Sequence, residues 1–243
     1  LLEDIYESFA NNGANLSPED KQTYRELSAK LSQLTLQYGQ NVLKATNAWT
    51  MLITDEALLA GLNDDTKAML RANAEKKGQE GWLLNLKPTT TIPVMQDLDN
   101  RDIRRELYMA SATKCVGGEF DNTGIIVEIV NTRLALANLF EKKTYAEKSL
   151  YKTMAETPEN VYRLLDQLRD AYMPTARQEV QELEDFAHQH GFYAAHLQPW
   201  DFSYYSKKLK QEKYAISDDD LPPYFEMENV KKGVFVLAQR PFA

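Results

Sequence analysis

Apolar residues recur along this chain mainly at helical spacing. Tyr24, Leu27, Leu31, Leu34, Tyr38 and Val42 follow one another at intervals of 3, 4, 3, 4 and 4, forming one stripe on a helix that runs to about Asn47. Ser17-Pro18-Glu19-Asp20 starts it with a capping hydroxyl, a proline in the first turn and acids at the positive end of the dipole. So long a helix suggests a bundle or an antiparallel helical pair. Residues 50–54 (TMLIT) and 82–87 (WLLNLK) are the runs that read as strands, short enough to pair as a small ribbon. Between them, Asn63-Asp64-Asp65 opens a helix that Gly78 closes.

Pro88 and Pro93 are expected to frame a loop, Thr89-Thr90-Thr91. Asn100 caps a helix carrying Ile103, Leu107, Tyr108 and Cys115 and ending at Gly117-Gly118. Asn122 starts another, in which Ile125, Ile126, Ile129, Val130, Leu134, Leu136 and Phe140 make an apolar face broad enough to predict a central place in the core. Thr144 caps a short helix through Met154. Thr157-Pro158-Glu159 opens a long one to His190, stopped by Gly191, with a kink or break near Tyr172 caused by Pro174. Pro199-Trp200-Asp201 begins a helix to about Tyr214, with Trp200 and Tyr204 inward and Asp201 capping. Ser217 with the acids at 218–220 starts a turn before Pro222-Pro223, and a final helix runs from about Glu226 to Gln239, with Pro241 disfavouring continuation. The expected class is mainly α, multi-helical, with at most a small two-stranded β element.

Composition agrees with long helices, since 243 residues contain only 10 Gly and 9 Pro. A charged fraction of 26% and a mean hydropathy of -0.52 describe a soluble globular chain. No stretch approaches the roughly 18 apolar residues of a membrane span, and the opening LLEDIYESF lacks the pattern of a signal peptide. A cytoplasmic location is expected, with the periplasm compatible. The net charge of -8 and pI of about 5.1 argue against a nucleic-acid partner. The pairs Lys142-Lys143 and Lys207-Lys208, flanked by Glu, read as solvated helix faces. Cys115 is the only cysteine, which excludes an internal disulfide and a multi-cysteine zinc site; beside Ala112 and Tyr108 on its expected helix it reads as a buried structural thiol.

Candidate chemistry is sparse. A helical zinc pair needs His at i and i+4. His188 and His190 are i, i+2, about 200° apart, and His196 lies beyond Gly191 with no carboxylate specifically placed to complete a site. All three read as exposed or capping residues near a helix C-terminus. Gly117-Gly118 matches no phosphate-binding fingerprint. The carboxylate groups Glu182/Glu184/Asp185 and Asp218/Asp219/Asp220 read as solvated or capping, and the aromatics Trp200, Phe202, Tyr204, Tyr205, Tyr224 and Phe225 as packing first and a ligand wall second. From the residues alone, no catalytic, cofactor-binding or metal-binding residue is assigned.

Four segments in order carry a family resemblance. They are FANNGANLSPEDKQTYRELSAKLSQLTLQYGQNVLKAT; TTTIPVMQDLDNRDIRRELYMAS, with its Asn-Arg-x-x-Arg-x-x-Leu-Tyr helix; IIVEIVNTRLALANLFEKKTYAEKSLYKTMAETPENVYRLL; and PWDFSYY with PPYFEMENVKKGVF. Together they resemble the thimet-oligopeptidase-like zinc metallopeptidases, and the Thr-Thr-x-x-Pro and Leu-Gln-Pro-Trp-Asp elements resemble the bacterial peptidyl-dipeptidase (dipeptidyl carboxypeptidase) branch. Phe140-Glu141 stands where that family usually shows Leu-Gly, and Arg240 to Ala243 departs from its pattern. The resemblance implies a zincin-type helical scaffold and a zinc-dependent hydrolase of short peptides, releasing C-terminal dipeptides within a channel. In the family a His-Glu-x-x-His motif, placed after the last of these segments, holds the zinc. No such motif occurs here, so residues 1–243 are expected to be the central helical portion of a larger peptidase. About 1–98 would carry the long helix and β element, and about 99–243 the bundle leading toward the zinc region. The expected partners are short peptides and the missing catalytic segment, with zinc in the parent and none in this chain. The alternative is a noncatalytic helical binding module on the same scaffold.

Overall fold

A computed structural model describes residues 1–215 and 225–242. Among them are helices α1 (Leu2–Asn11), α2 (Pro18–Ala48), α3 (Asp64–Glu75), α4 (Pro88–Asp97), α5 (Arg101–Ala112), α6 (Thr123–Leu139), α7 (Tyr145–Leu150), α8 (Pro158–Gln189), α9 (Pro199–Tyr214) and α10 (Met227–Phe242). Strands β1 (Thr50–Ile53) and β2 (Trp82–Asn85) pair antiparallel, Thr50 opposite Asn85 and Ile53 opposite Trp82. The mainly α class with one small ribbon is what the apolar spacing indicates.

The helix starts obey local chemistry. Ser17 Oγ accepts from the Asp20 N–H, Asn63 from Thr66, Thr144 from Glu147 and Thr157 from Asn160. Two cores follow. The first gathers Leu59, Leu70, Leu84, Val94, Leu98 and Leu107 around the ribbon, α3, α4 and α5. Each such side chain contributes about 1.5–3 kcal/mol on burial. The second joins α8 to α9 through Leu183, Phe186, Phe192, Leu197, Tyr204 and Tyr205. Gly61 serves the first core's edge: at φ +93, a Cβ there would run into the Asp97 carbonyl.

Several expectations are corrected. Thr89-Thr90-Thr91 is not a loop but the first turns of α4, with Pro88 at its start and Pro93 inside it. Burial of Thr90 and Val94 outweighs the backbone bond that Pro93 cannot donate. Cys115 is not helical; α5 ends at Ala112, and Cys115 sits in the following turn at φ +62, partly exposed. α6 is not central. It packs on α2 and α7, burying Ile129 and Leu136, while Ile126, Val127, Val130 and Leu134 stay open to solvent. α7 stops at Leu150 rather than Met154, and α10 runs on through Pro241 to Phe242. Pro174 lies inside α8 without breaking it. α1 had no sequence signal that marked it. The expected turn at Ser217, Asp218, Asp219 and Asp220, Pro222-Pro223 and Tyr224 lie outside the described residues.

Two loop residues show why local reading errs. Asn122 does not cap α6 with its side chain. Asp121 takes that role, accepting from the Thr123 N–H at 3.0 Å and the Thr123 hydroxyl at 2.7 Å. Those bonds, the backbone one first, hold the Asp121 carboxyl below its ordinary range. Asn122 is instead buried, accepting from Asn41 Nδ2 at 2.9 Å and donating to the Tyr38 carbonyl at 3.2 Å, so it stitches α6 to α2. At the far end of α6, Lys142 N–H donates to the Ala137 carbonyl, a closing bond that needs a left-handed residue before it. That residue is Glu141, at φ +57.

Candidate functional site

The most elaborate polar arrangement among the described residues joins the start of α5 to the start of α9. Asn100 Oδ1 accepts from the N–H groups of Asp102 and Ile103, which fixes the first turn of α5. Arg101 and Arg104, three residues apart, then project from one face. Across from them, Pro199 sets the first position of α9 and Asp201 caps it, Oδ2 accepting from the Gln198 N–H at 3.0 Å.

Arg101 grips Asp201 with a fork: Nε donates to Oδ1 at 2.9 Å and Nη2 to Oδ2 at 2.7 Å. Arg104 Nη2 reaches Oδ1 at 3.3 Å. Its other donors go to the carbonyls of Trp200 (3.1 Å), Leu98 (2.7 Å) and Asp99 (3.1 Å). The Arg104 guanidinium also lies 4.0 Å over the Tyr204 ring. Burial pulls the Arg104 pKa down, whereas the bond to Asp201 pushes that of Arg101 up; both guanidinium groups stay protonated. A second leg runs beside this. Tyr204 Oη donates to Asp99 at 2.6 Å, Lys208 donates to the same oxygen at 3.3 Å, and Lys207 pairs with Asp97 at 2.7 Å. Lys207-Lys208 is therefore not a solvated face but a pair of ties to the α4–α5 connection. Burial first, then the bond to Asp99, raises the Tyr204 pKa.

Both carboxylate oxygens of Asp201 carry more than one donor, and the group is sealed from solvent. The arrangement holds α5 and α9 in register; it offers no free base or acid. Asn100, Arg101, Arg104 and Asp201 lie in two of the segments that carry the resemblance, the Asn-Arg-x-x-Arg helix and the Trp-Asp-x-x-Tyr-Tyr element. Asp99 was assigned no role from the sequence, and Lys207-Lys208 was read there as a solvated face rather than as part of this arrangement. Their one signal there was their proximity to those motifs.

The sequence's other candidates are dispersed. His188 Nε2 bonds the Ala194 carbonyl at 2.9 Å. His190 Nδ1 bonds the Phe186 carbonyl at 2.8 Å, with Nε2 3.3 Å from Glu212. His196 lies 3.3 Å from Glu184, which also accepts from the Leu197 N–H. Glu182 pairs with Lys213, and Asp185 accepts from Gln181. Among the described residues, no three His, Cys, Asp or Glu side chains converge as metal ligands. The three histidines, each bonded to a separate carbonyl or carboxylate, do not fit a zinc site. No described helix is long and apolar enough to cross a membrane.

Peptidase family M3 matches residues 94–243, a stretch of more than half of the chain that contains the α5–α9 lock. The chain belongs to peptidase family M3. It is 40% identical over 98% of its length to oligopeptidase A of Salmonella typhimurium, covering 36% of that protein. To oligopeptidase A of Haemophilus influenzae it is 39% identical over 99%, again covering 36%. To dipeptidyl carboxypeptidase of Escherichia coli it is 30% identical over 100%, covering 36%. This M3 chain therefore spans about a third of the length of the curated relatives it matches, and its identity is higher to those named oligopeptidase A than to the one named dipeptidyl carboxypeptidase.

Proposed function

We propose that residues 1–243 form the helical scaffold of a zinc-dependent, cytoplasmic M3 peptidase that cleaves short oligopeptides. In this reading they contribute wall to a substrate channel, and the zinc site lies in a part of the protein other than these helices. The observation that carries it is the lock itself. Arg101 and Arg104 of one family motif close on Asp201 of another, about 100 residues on, which gives those motifs a structural task within the family fold. Higher identity to the oligopeptidase A relatives favours cleavage of oligopeptides as the broad reading. Release of C-terminal dipeptides is the narrower one, supported by the likeness to dipeptidyl carboxypeptidase. Mass spectrometry of peptide products from the protein that contains this chain tests both. Dipeptides released from free C-termini support the narrow reading, internal cuts support only the broad one, and no cleavage of any short peptide overturns both.

A further inference from the structure

α10 carries Met227, Val230, Val234 and Leu237 at spacings of 3, 4 and 3, a single apolar stripe. In this structure that stripe is open, with exposures of 69, 40, 59 and 67%. α8 has the matching problem. Leu165, Leu168, Tyr172 and Val180 are exposed along one face, and that face leads into a groove of about 400 Å³ between α8 and α9. Open apolar stripes of this size mark surfaces that pack on a partner element, because each exposed aliphatic side chain forgoes its burial energy.

We propose that α10 is the occupant: it docks its stripe on the open face of α8, seated at the groove where α8 meets α9. Charge supports this pairing. α8 carries Glu159, Asp166, Asp170, Glu179, Glu182, Glu184 and Asp185 against Arg163, Arg169 and Arg177. α10 carries Lys231, Lys232 and Arg240 against Glu228. An acidic helix thus meets a basic one: Lys231, which pairs with Glu228 at 2.9 Å in this structure, lies beside the stripe, and docking would bring it toward Glu179 on a rim that also carries Lys210 and the Glu182–Lys213 pair. Connectivity supports it too. α9 ends at Tyr214, itself a groove residue, and the chain of 215–226 can extend about 40 Å, enough to return α10 to α8. Gly233, on the other flank of the stripe, lets the helices approach closely.

The test is amide hydrogen exchange across residues 161–183 in the unaltered chain and in the double variant Val234→Lys with Leu237→Lys, each at two tenfold-separated concentrations. Both substitutions fall on exposed positions, and far-UV circular dichroism checks that helix content is kept. Docking predicts that the double variant raises exchange in 161–183 at least tenfold at either concentration, while Lys232→Ala, on the opposite face, leaves it unchanged. Equal exchange in both proteins overturns the proposal. So does protection that vanishes on dilution together with a dimer mass in light scattering, which assigns the face to a second copy.

Discussion

Arg104 Nη2 lies 3.3 Å from Asp201 Oδ1, their side chains 2% and 0% exposed, although 97 residues separate them in the chain. A buried ion pair adds little over a well-packed apolar contact, but removing one partner strands the other in a medium that cannot solvate it. Asp201→Asn is therefore expected to destabilise the fold by about 3–5 kcal/mol. Arg101→Gln should cost less, about 1.5–3 kcal/mol, because the buried Asp201 carboxylate loses the two Arg101 donors but keeps Arg104 and the Gln198 N–H. Urea unfolding of both variants checks the order; equal costs would place the burden elsewhere.

Asn122 yields a sharper test, because Asn and Asp are interchangeable as caps but not as buried bridges. Asn122→Asp removes the donor to the Tyr38 carbonyl and buries a carboxylate beside it. A loss of about 2–4 kcal/mol is expected. A neutral result in thermal unfolding would return Asn122 to a simple capping role.

Glu141 should be improvable. Its left-handed backbone costs a residue with a Cβ about 1–2 kcal/mol, part of which glycine gives back through unfolded-state entropy. Glu141→Gly is expected to raise stability by about 0.5–1 kcal/mol, and differential scanning calorimetry reads it as a higher Tm.

Tyr204 sets an alkaline limb. Its folded-state pKa is raised by burial and by the Asp99 bond, so its contribution is complete below about pH 10, the unfolded value, and is lost as pH climbs through the raised value. Tyr204→Phe should cost about 1 kcal/mol near neutrality and unfold with a shallower pH dependence above pH 10. Urea midpoints at pH 7, 9 and 10.5 measure both.

The sequence made the helices legible because caps and apolar stripes are local: Ser17, Asn63, Asn100, Thr144 and Thr157 all begin helices where their chemistry says they should. It misread what depends on distant partners. Pro93 reads as a helix breaker until Val94 is seen buried in the first core. Ile126 and Val130 read as core until α6 is seen packing on α2 and α7. Lys207 and Lys208 read as solvated until Asp97 and Asp99 are placed beside them. The lock was half legible, since its motifs were visible and Asp201 was read as a cap, but its ion pairs were not.

We propose that these helices are scaffold and that the peptidase chemistry belongs to other parts of the protein. The direct measurement is zinc content by elemental analysis, with hydrolysis of internally quenched short peptides, on the purified 243-residue chain after incubation with zinc and desalting. No stoichiometric zinc and no hydrolysis above the zinc-only control are expected. One tightly bound zinc per chain with peptide hydrolysis would contradict the proposal.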